Sequence, residues 1–167
     1  IGKVGSQGRE KADSEESVMQ ALDHPHIIKL FESFHAESSL ILITEFCPGG
    51  TLYDAVHKAG RFTELHAAVV MRQLLGAVQL LQSCGISHAD LKPDNVLLCE
   101  QGQQACDVRV ADFGSAHAFR ADAPERSDLW SCGLIARFML CGARLPLLPD
   151  HGGGPSPQVR VGSCSFR

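Results

Sequence analysis

The sequence predicts an α+β fold in two unequal parts, a small one built from a helix and strands and a larger one that is mainly helical. Three observations predict it. Apolar residues at helical spacing after Ser14 give way to two runs of strand length, Ile27–Phe34 and Leu40–Phe46. Pro48-Gly49-Gly50 then breaks the chain. Beyond the break the apolar residues again recur with the period of helices. The boundaries read as 1–44 for the first part, 45–50 for the link, 51–148 for the second part and 149–167 for a flexible tail rich in Gly, Pro and Ser.

The elements follow in order. Ser14 is placed to cap a helix whose first turn holds Glu15 and Glu16 and whose apolar stripe is Val18, Met19 and Leu22; His24-Pro25 stops it. Ile27–Phe34 is the first strand and Leu40–Phe46 a second, more deeply buried one. Thr51–Lys58 is a short helix. A longer one is capped at Thr63, runs to Ser83 with Val70, Leu74, Leu75, Val78 and Leu81 on its apolar face, and ends at Gly85. Val96–Leu98 and Val108–Val110 form a small hairpin around Gln101-Gly102-Gln103. Ser127–Cys141 is apolar enough for a buried helix, with Ile135 and Met139 on its core face.

Composition excludes some partners. The chain has 167 residues, 44% hydrophobic and 20% charged, which suits one globular core. A net charge of −4 offers no basic face to nucleic acid or to an anionic membrane. No apolar run approaches the ~20 residues a membrane helix needs. The chain opens on Ile1-Gly2-Lys3, without a methionine or a leader pattern, as an internal piece of something longer does. The seven cysteines are odd in number, scattered and without a C-x-x-C pair; they fit neither a disulfide framework nor a zinc site and are expected as reduced thiols in a cytoplasmic protein. His24, His26, His35, His57, His66 and His117 show no ligand-like pairing.

The chemistry concentrates in His88-Ala89-Asp90-Leu91-Lys92-Pro93-Asp94-Asn95, followed after the hairpin by Ala111-Asp112-Phe113-Gly114. A lone Asp in a loop commonly caps a turn. Here Asp, Lys, Asn and a second Asp stand together, in order and with apolar strands between them. The chain thereby resembles the eukaryotic-type protein kinases of the serine/threonine kind, whose catalytic loop and D-F-G have these spacings. The resemblance implies a two-lobed kinase fold, with a truncated N-lobe (helix C plus strands) and a mainly helical, partial C-lobe. It implies ATP and Mg²⁺ as cofactors and serine or threonine hydroxyls of proteins as substrates.

Residue by residue, the resemblance makes Asp90 the group that orients the acceptor hydroxyl and takes its proton, and Lys92 a cation for the transferring phosphate. Asn95 and Asp112 become the Mg²⁺ ligands. Glu15 resembles the helix-C glutamate that pairs with an ATP-binding lysine, although Glu16 beside it leaves open that both are a solvated acidic turn. Thr44 falls at the gatekeeper position. The backbones of Glu45 and Cys47 fall where adenine is bonded, and Leu97 where the purine is packed. Met19, Leu30, His88 and Phe113 match the stacked spine, with Asp128 bonding the His88 backbone. Gly49-Gly50-Thr51-Leu52-Tyr53-Asp54, Arg61-Phe62-Thr63-Glu64 and Ser127-Asp128-Leu129-Trp130-Ser131-Cys132-Gly133 resemble the calcium/calmodulin-dependent and calcium-dependent kinases. No D-x-D-x-D-G loop occurs, so a calcium-regulatory module would lie outside this chain.

The sequence also departs from the pattern. Gly2, Gly5 and Gly8 lack the order of a phosphate-covering loop, and Lys3 stands too near Glu15 to be the ATP-binding lysine. Ala89 occupies the place of the arginine that receives an activation-loop phosphate. Ala123-Pro124-Glu125 abuts Arg126-Ser127-Asp128, so the segment from Asp112 to Asp128 is about half the length the family uses. These departures set a second reading beside the enzyme, a pseudokinase-like interaction module or an inactive kinase fragment.

Overall fold

A computed structural model describes residues 15–36, 39–102, 106–118 and 128–142. The Ser14 cap, Gly2 to Gly8 with Lys3, Ala123-Pro124-Glu125 and the 149–167 tail lie outside these residues. The described chain opens with helix α1 over 15–21, whose Met19, followed by Leu22, enters the core. Strands β1 (Leu30–His35) and β2 (Leu40–Thr44) pair antiparallel, with a register shift between Leu30 and Glu32. Helices α2 (Leu52–Ala59) and α3 (Glu64–Ser83) follow. A short β3 (Ile86–Ser87) pairs with β6 (His117–Ala118), and the hairpin β4 (Val96–Leu98) and β5 (Val108–Val110) lies between them. Helix α4 (Asp128–Cys141) packs on α3.

The helix starts follow from local chemistry. Thr51 and Thr63 hold extended backbone and accept from the N–H groups of Asp54 and His66, so each supplies a partner that the first turn lacks. On α3, Val70, Leu74, Ala77, Val78 and Leu81 are buried at spacings of three and four. They meet Ile135, Phe138 and Met139 of α4 and the inward residues Val96, Leu98, Val108 and Val110 of the hairpin in one core. Gln73 ties α3 to the hairpin: its amide donates to Cys106 O at 2.7 Å and accepts from Val108 N at 3.0 Å. A buried amide satisfied on both ends positions the hairpin without a polar penalty.

Two strand expectations are corrected. The first strand begins at Leu30 rather than Ile27; Ile27 and Ile28 are buried, and they run beside β5, with Ile28 N donating to Val110 O at 2.9 Å and Val110 N to His26 O at 2.9 Å. The eight residues Ile27–Phe34, five of them apolar or aromatic, thus serve two different sheets, which composition does not separate. The second strand stops at Thr44 rather than Phe46; three of its five residues are half-buried, against two of six in β1. Its side chains alternate, and Ile41 and Ile43 share the exposed apolar residues of this sheet with Phe31 and Phe34. A two-stranded sheet has one face on the core; the other is left to solvent among the described residues.

Helix α4 matches its expected span, and Ile135 and Met139 are fully buried. Leu129 and Trp130 in its first turn are exposed. No helix of the described residues is long and apolar enough to cross a membrane.

Candidate active site

The loop from His88 to Asn95 is fixed from below by Asp128. This carboxylate, 2% exposed at the start of α4, accepts from His88 N at 2.8 Å, Ala89 N at 3.0 Å and Ser87 Oγ at 3.2 Å. The bond expected from Asp128 to the His88 backbone is present, and two more accompany it. His88 is fully buried; its Nε2 lies 3.0 Å from Ala111 O, and its ring stands 4.9 Å from that of Phe113. The same imidazole therefore touches both motif segments and holds them at one level. Of the expected spine, Met19 and Phe113 are buried in the core, and Leu30 packs against it partly exposed.

Above this base the polar side chains converge. Lys92 Nζ donates to Asp90 Oδ2 at 2.6 Å, and Asn95 Nδ2 donates to Asp90 O at 2.9 Å and Asp90 Oδ2 at 3.2 Å. Asn95, buried in the 3₁₀ turn Pro93–Asn95, spends its amide donors inward and keeps Oδ1 as an acceptor. Its carbonyl accepts from Ala111 N at 2.9 Å, which sets Asp112 beside it. Asp112 has φ 66° and is exposed, so its backbone turns sharply at the site; Ala89 has φ 64°. Left-handed backbone is tolerated by Asp far better than by Ala. The Asp90 carboxylate holds the Lys92 ammonium above the usual lysine range, its hydrogen bond being the largest cause.

Glu15 arrives from α1. A Cβ placed on Gly114 would lie 3.4 Å from Asp112 Oδ1 and 3.5 Å from Glu15 Oε2, so the two carboxylates flank that glycine. Burial, and then the charge of Asp112, push the Glu15 carboxyl above the usual carboxylate range. Among the described residues Glu15 has no basic partner. Glu16 is resolved from it: its carboxylate accepts from Ser33 Oγ and lies 2.8 Å from His35 Nε2, so it braces α1 on β1 and is not a solvated turn. The two glutamates differ in direction. Glu15 faces the site and Glu16 faces the sheet.

The link residues form a second group. Glu45 N donates to Lys29 O at 2.8 Å, so of its two backbone groups the carbonyl remains, touched at 3.4 Å by Thr44 Oγ1. Leu97 is partly buried, pairs with Arg109 and bridges to Thr51. The Glu45 carboxylate turns away from the loop toward Arg109, whose Nε donates to its oxygens at 3.1 and 3.2 Å. Sequence reading missed one constellation here. Glu45, Cys47 and Cys99 bring their ligating atoms within 4.8 Å of one another, although 52 positions separate the two cysteines. The signal was indirect: a chain break at Gly49-Gly50 that folds back on the first hairpin strand.

The donor set suits a hard cation and a polyphosphate. Asn95 Oδ1 and the Asp112 carboxylate are oxygen ligands of the kind magnesium takes, with Lys92 as a nearby cation. The family model for the protein kinase domain matches residues 2–126. The chain belongs to the protein kinase family. It is 33% identical over 147 residues to calcium-dependent protein kinase 3 of Plasmodium yoelii yoelii, covering 75% of this chain and 27% of that protein. Similarity to calcium-dependent protein kinase 5 of Plasmodium falciparum (isolate 3D7) is 32% over 154 residues, covering 80% of this chain and 27% of the relative. The chain thus spans about a quarter of the length of these relatives. Both relatives are calcium-dependent protein kinases, one of the two groups that the resemblance had pointed to.

Proposed function

We propose that this chain is catalytic core of a serine/threonine protein kinase that transfers the γ-phosphoryl group of ATP to a protein hydroxyl. The observation that carries the proposal is the convergence of Asp90, Lys92 and Asn95 beside Asp112, on a base held by His88 and Asp128. In this reading Asp90 orients the acceptor hydroxyl and takes its proton as the new O–P bond forms and the bond to the ADP oxygen breaks. Lys92 meets the charge of the moving phosphoryl. Asn95 Oδ1 and Asp112 hold Mg²⁺, which neutralises phosphate charge when bound. The Glu45 carbonyl, the Cys47 backbone and Leu97 hold adenine, with Thr44 behind them. Lys92 supports the choice of serine or threonine as acceptor.

The similarity to calcium-dependent kinases supports a calcium-regulatory module elsewhere in the protein. A cytoplasmic location is proposed with it, on the reduced state of the cysteines. The test is magnesium-dependent transfer of labelled phosphate from ATP to serine and threonine peptides by the full-length protein. Asp90→Ala is expected to lower the rate by roughly 10²–10⁴-fold, and Asp112→Ala to abolish it. Unchanged transfer in either variant removes the assignment.

One observation favours the second reading, an interaction module without catalysis. Glu15 faces Asp112 and not a cation, which leaves the α- and β-phosphates without the usual clamp among the described residues. Partner binding retained with no phosphoryl transfer in the unmutated full-length protein would establish it.

A further inference from the structure

We propose that Glu45, Cys47 and Cys99 form a binding site for a thiophilic divalent cation of the zinc class, between the link and the end of β4. The site shares no side chain with the Asp90–Asp112 cluster and does not depend on nucleotide. Its three ligating atoms already lie within 4.8 Å of one another. Around zinc, with Zn–S bonds of about 2.3 Å, two tetrahedral thiolates stand roughly 3.8 Å apart. The side chains therefore need to close by about an ångström or less, a motion of χ angles and not of backbone.

The backbone is what brings the ligands together. Gly49 N donates to Leu98 O and Leu98 N to Gly50 O, each at 2.9 Å, so the link lies along β4 as an added strand. Cys99 N donates to Asp107 O at 3.0 Å, and Gln101 Nε2 to Pro48 O at 3.1 Å, which closes the two segments on either side of the thiols. A Cβ on Gly49 would fall 2.1 Å from Glu100 O, so only glycine permits this approach. All three ligands are partly buried, which shields them while leaving a side open for entry.

Most of the charge is compensated. Two thiolates and the carboxylates of Glu45 and Asp107 carry four negative charges; a divalent cation and the Arg109 guanidinium, bonded to Glu45 at 3.1 Å, return three positive ones. Arg109 also meets Asp107 at 3.0 Å, and Asp107 in turn lies 3.6 Å from His26 Nδ1. A ligating carboxylate oriented by an outer hydrogen bond is the usual arrangement at zinc sites. Two sulfurs and one oxygen select zinc over magnesium or calcium, which take oxygen alone. On binding, the two thiols release their protons to the buffer. Three protein ligands leave the fourth position to water.

The test uses cobalt(II) and zinc(II) ions alone, added to the full chain under anaerobic conditions with a phosphine reductant. Cobalt is expected to give thiolate charge-transfer absorption at one ion per chain, bleached by zinc. Cys47→Ser and Cys99→Ser are each expected to lose affinity by at least the roughly 100-fold that outer-shell partners alone can be worth. Zinc should also protect Cys47 and Cys99 of the unmutated chain from maleimide labelling, and leave the exposed Cys84 and Cys141 reactive. This second readout does not require a variant to fold. Absence of charge-transfer absorption, absorption unchanged in both variants, or labelling of Cys47 and Cys99 undiminished by zinc overturns the site.

Discussion

Asp128 and Glu15 show how single side chains divide their work between holding and reacting. Asp128 is buried and carries three accepted hydrogen bonds, none of which involves Asp90, Lys92, Asn95 or Asp112. Its truncation in Asp128→Ala leaves the His88 and Ala89 N–H groups without partners, and a buried donor left unpaired costs about 1–3 kcal/mol. A loss of about 3 kcal/mol is expected, read as a lower urea midpoint with little change in slope. Glu15 behaves in the opposite sense. Its folded-state pKa is raised above 4.5, by burial first and Asp112 second, so the folded chain holds this proton more tightly than the unfolded one. Stability from it is present below the unfolded value and is lost as the pH rises through the folded one. Glu15→Gln should therefore melt above the unmutated chain at neutral pH and level with it near pH 4, measured by thermal unfolding at both. A variant that melts lower at neutral pH would mean a favourable partner for this carboxylate. The pair Glu15 and Glu16 was readable as acidic and N-terminal on a helix. Which of them faces the site was not, because adjacent positions on a helix point about 100° apart and only the packing of α1 on β1 sets the zero of that rotation.

The helices were the most legible elements. Thr63 stands one residue before an apolar stripe, and the structure starts α3 at Glu64, as the cap requires. Thr63→Ala removes the oxygen that accepts from His66 N at 3.2 Å, and is expected to cost about 1 kcal/mol. Circular dichroism melts check this, and a change within error would show that water replaces the cap at no cost. The strands were less legible. Ile27 and Ile28 look like the start of β1, yet they bond to β5, which follows them by some 80 positions. Strand partners are chosen by tertiary contact, and a β-branched residue suits either sheet equally. The same reason explains Ile41 and Ile43. Their apolar character predicts burial, whereas the pleat turns alternate side chains to opposite faces and the described sheet covers one of them.

Taken together, the two parts are joined by more than the link that connects them. Residues 26–28 run along β5, Gly49 and Gly50 pair with Leu98, and Arg109 of β5 bonds Glu45. The two parts are therefore held together by backbone contacts. On the proposed kinase reading, nucleotide binding should stabilise the whole chain by mass action. At a Mg-ATP concentration of 100 Kd the gain is about 2.7 kcal/mol, or roughly 5–10 °C in Tm for a domain of this size. A shift that needs magnesium supports the kinase reading; no shift in the presence of both supports the interaction module. The order of the motifs and the existence of two lobes could both be read from the chain, because short-range spacing and turn chemistry are local properties. The convergence of Cys47 and Cys99, the inward face of Glu15 and the double pairing of residues 26–35 could not. Each depends on how the link folds back along β4 or how α1 rotates against the sheet, and those choices are made by contacts between residues far apart in the sequence, where one-dimensional pattern carries no distance.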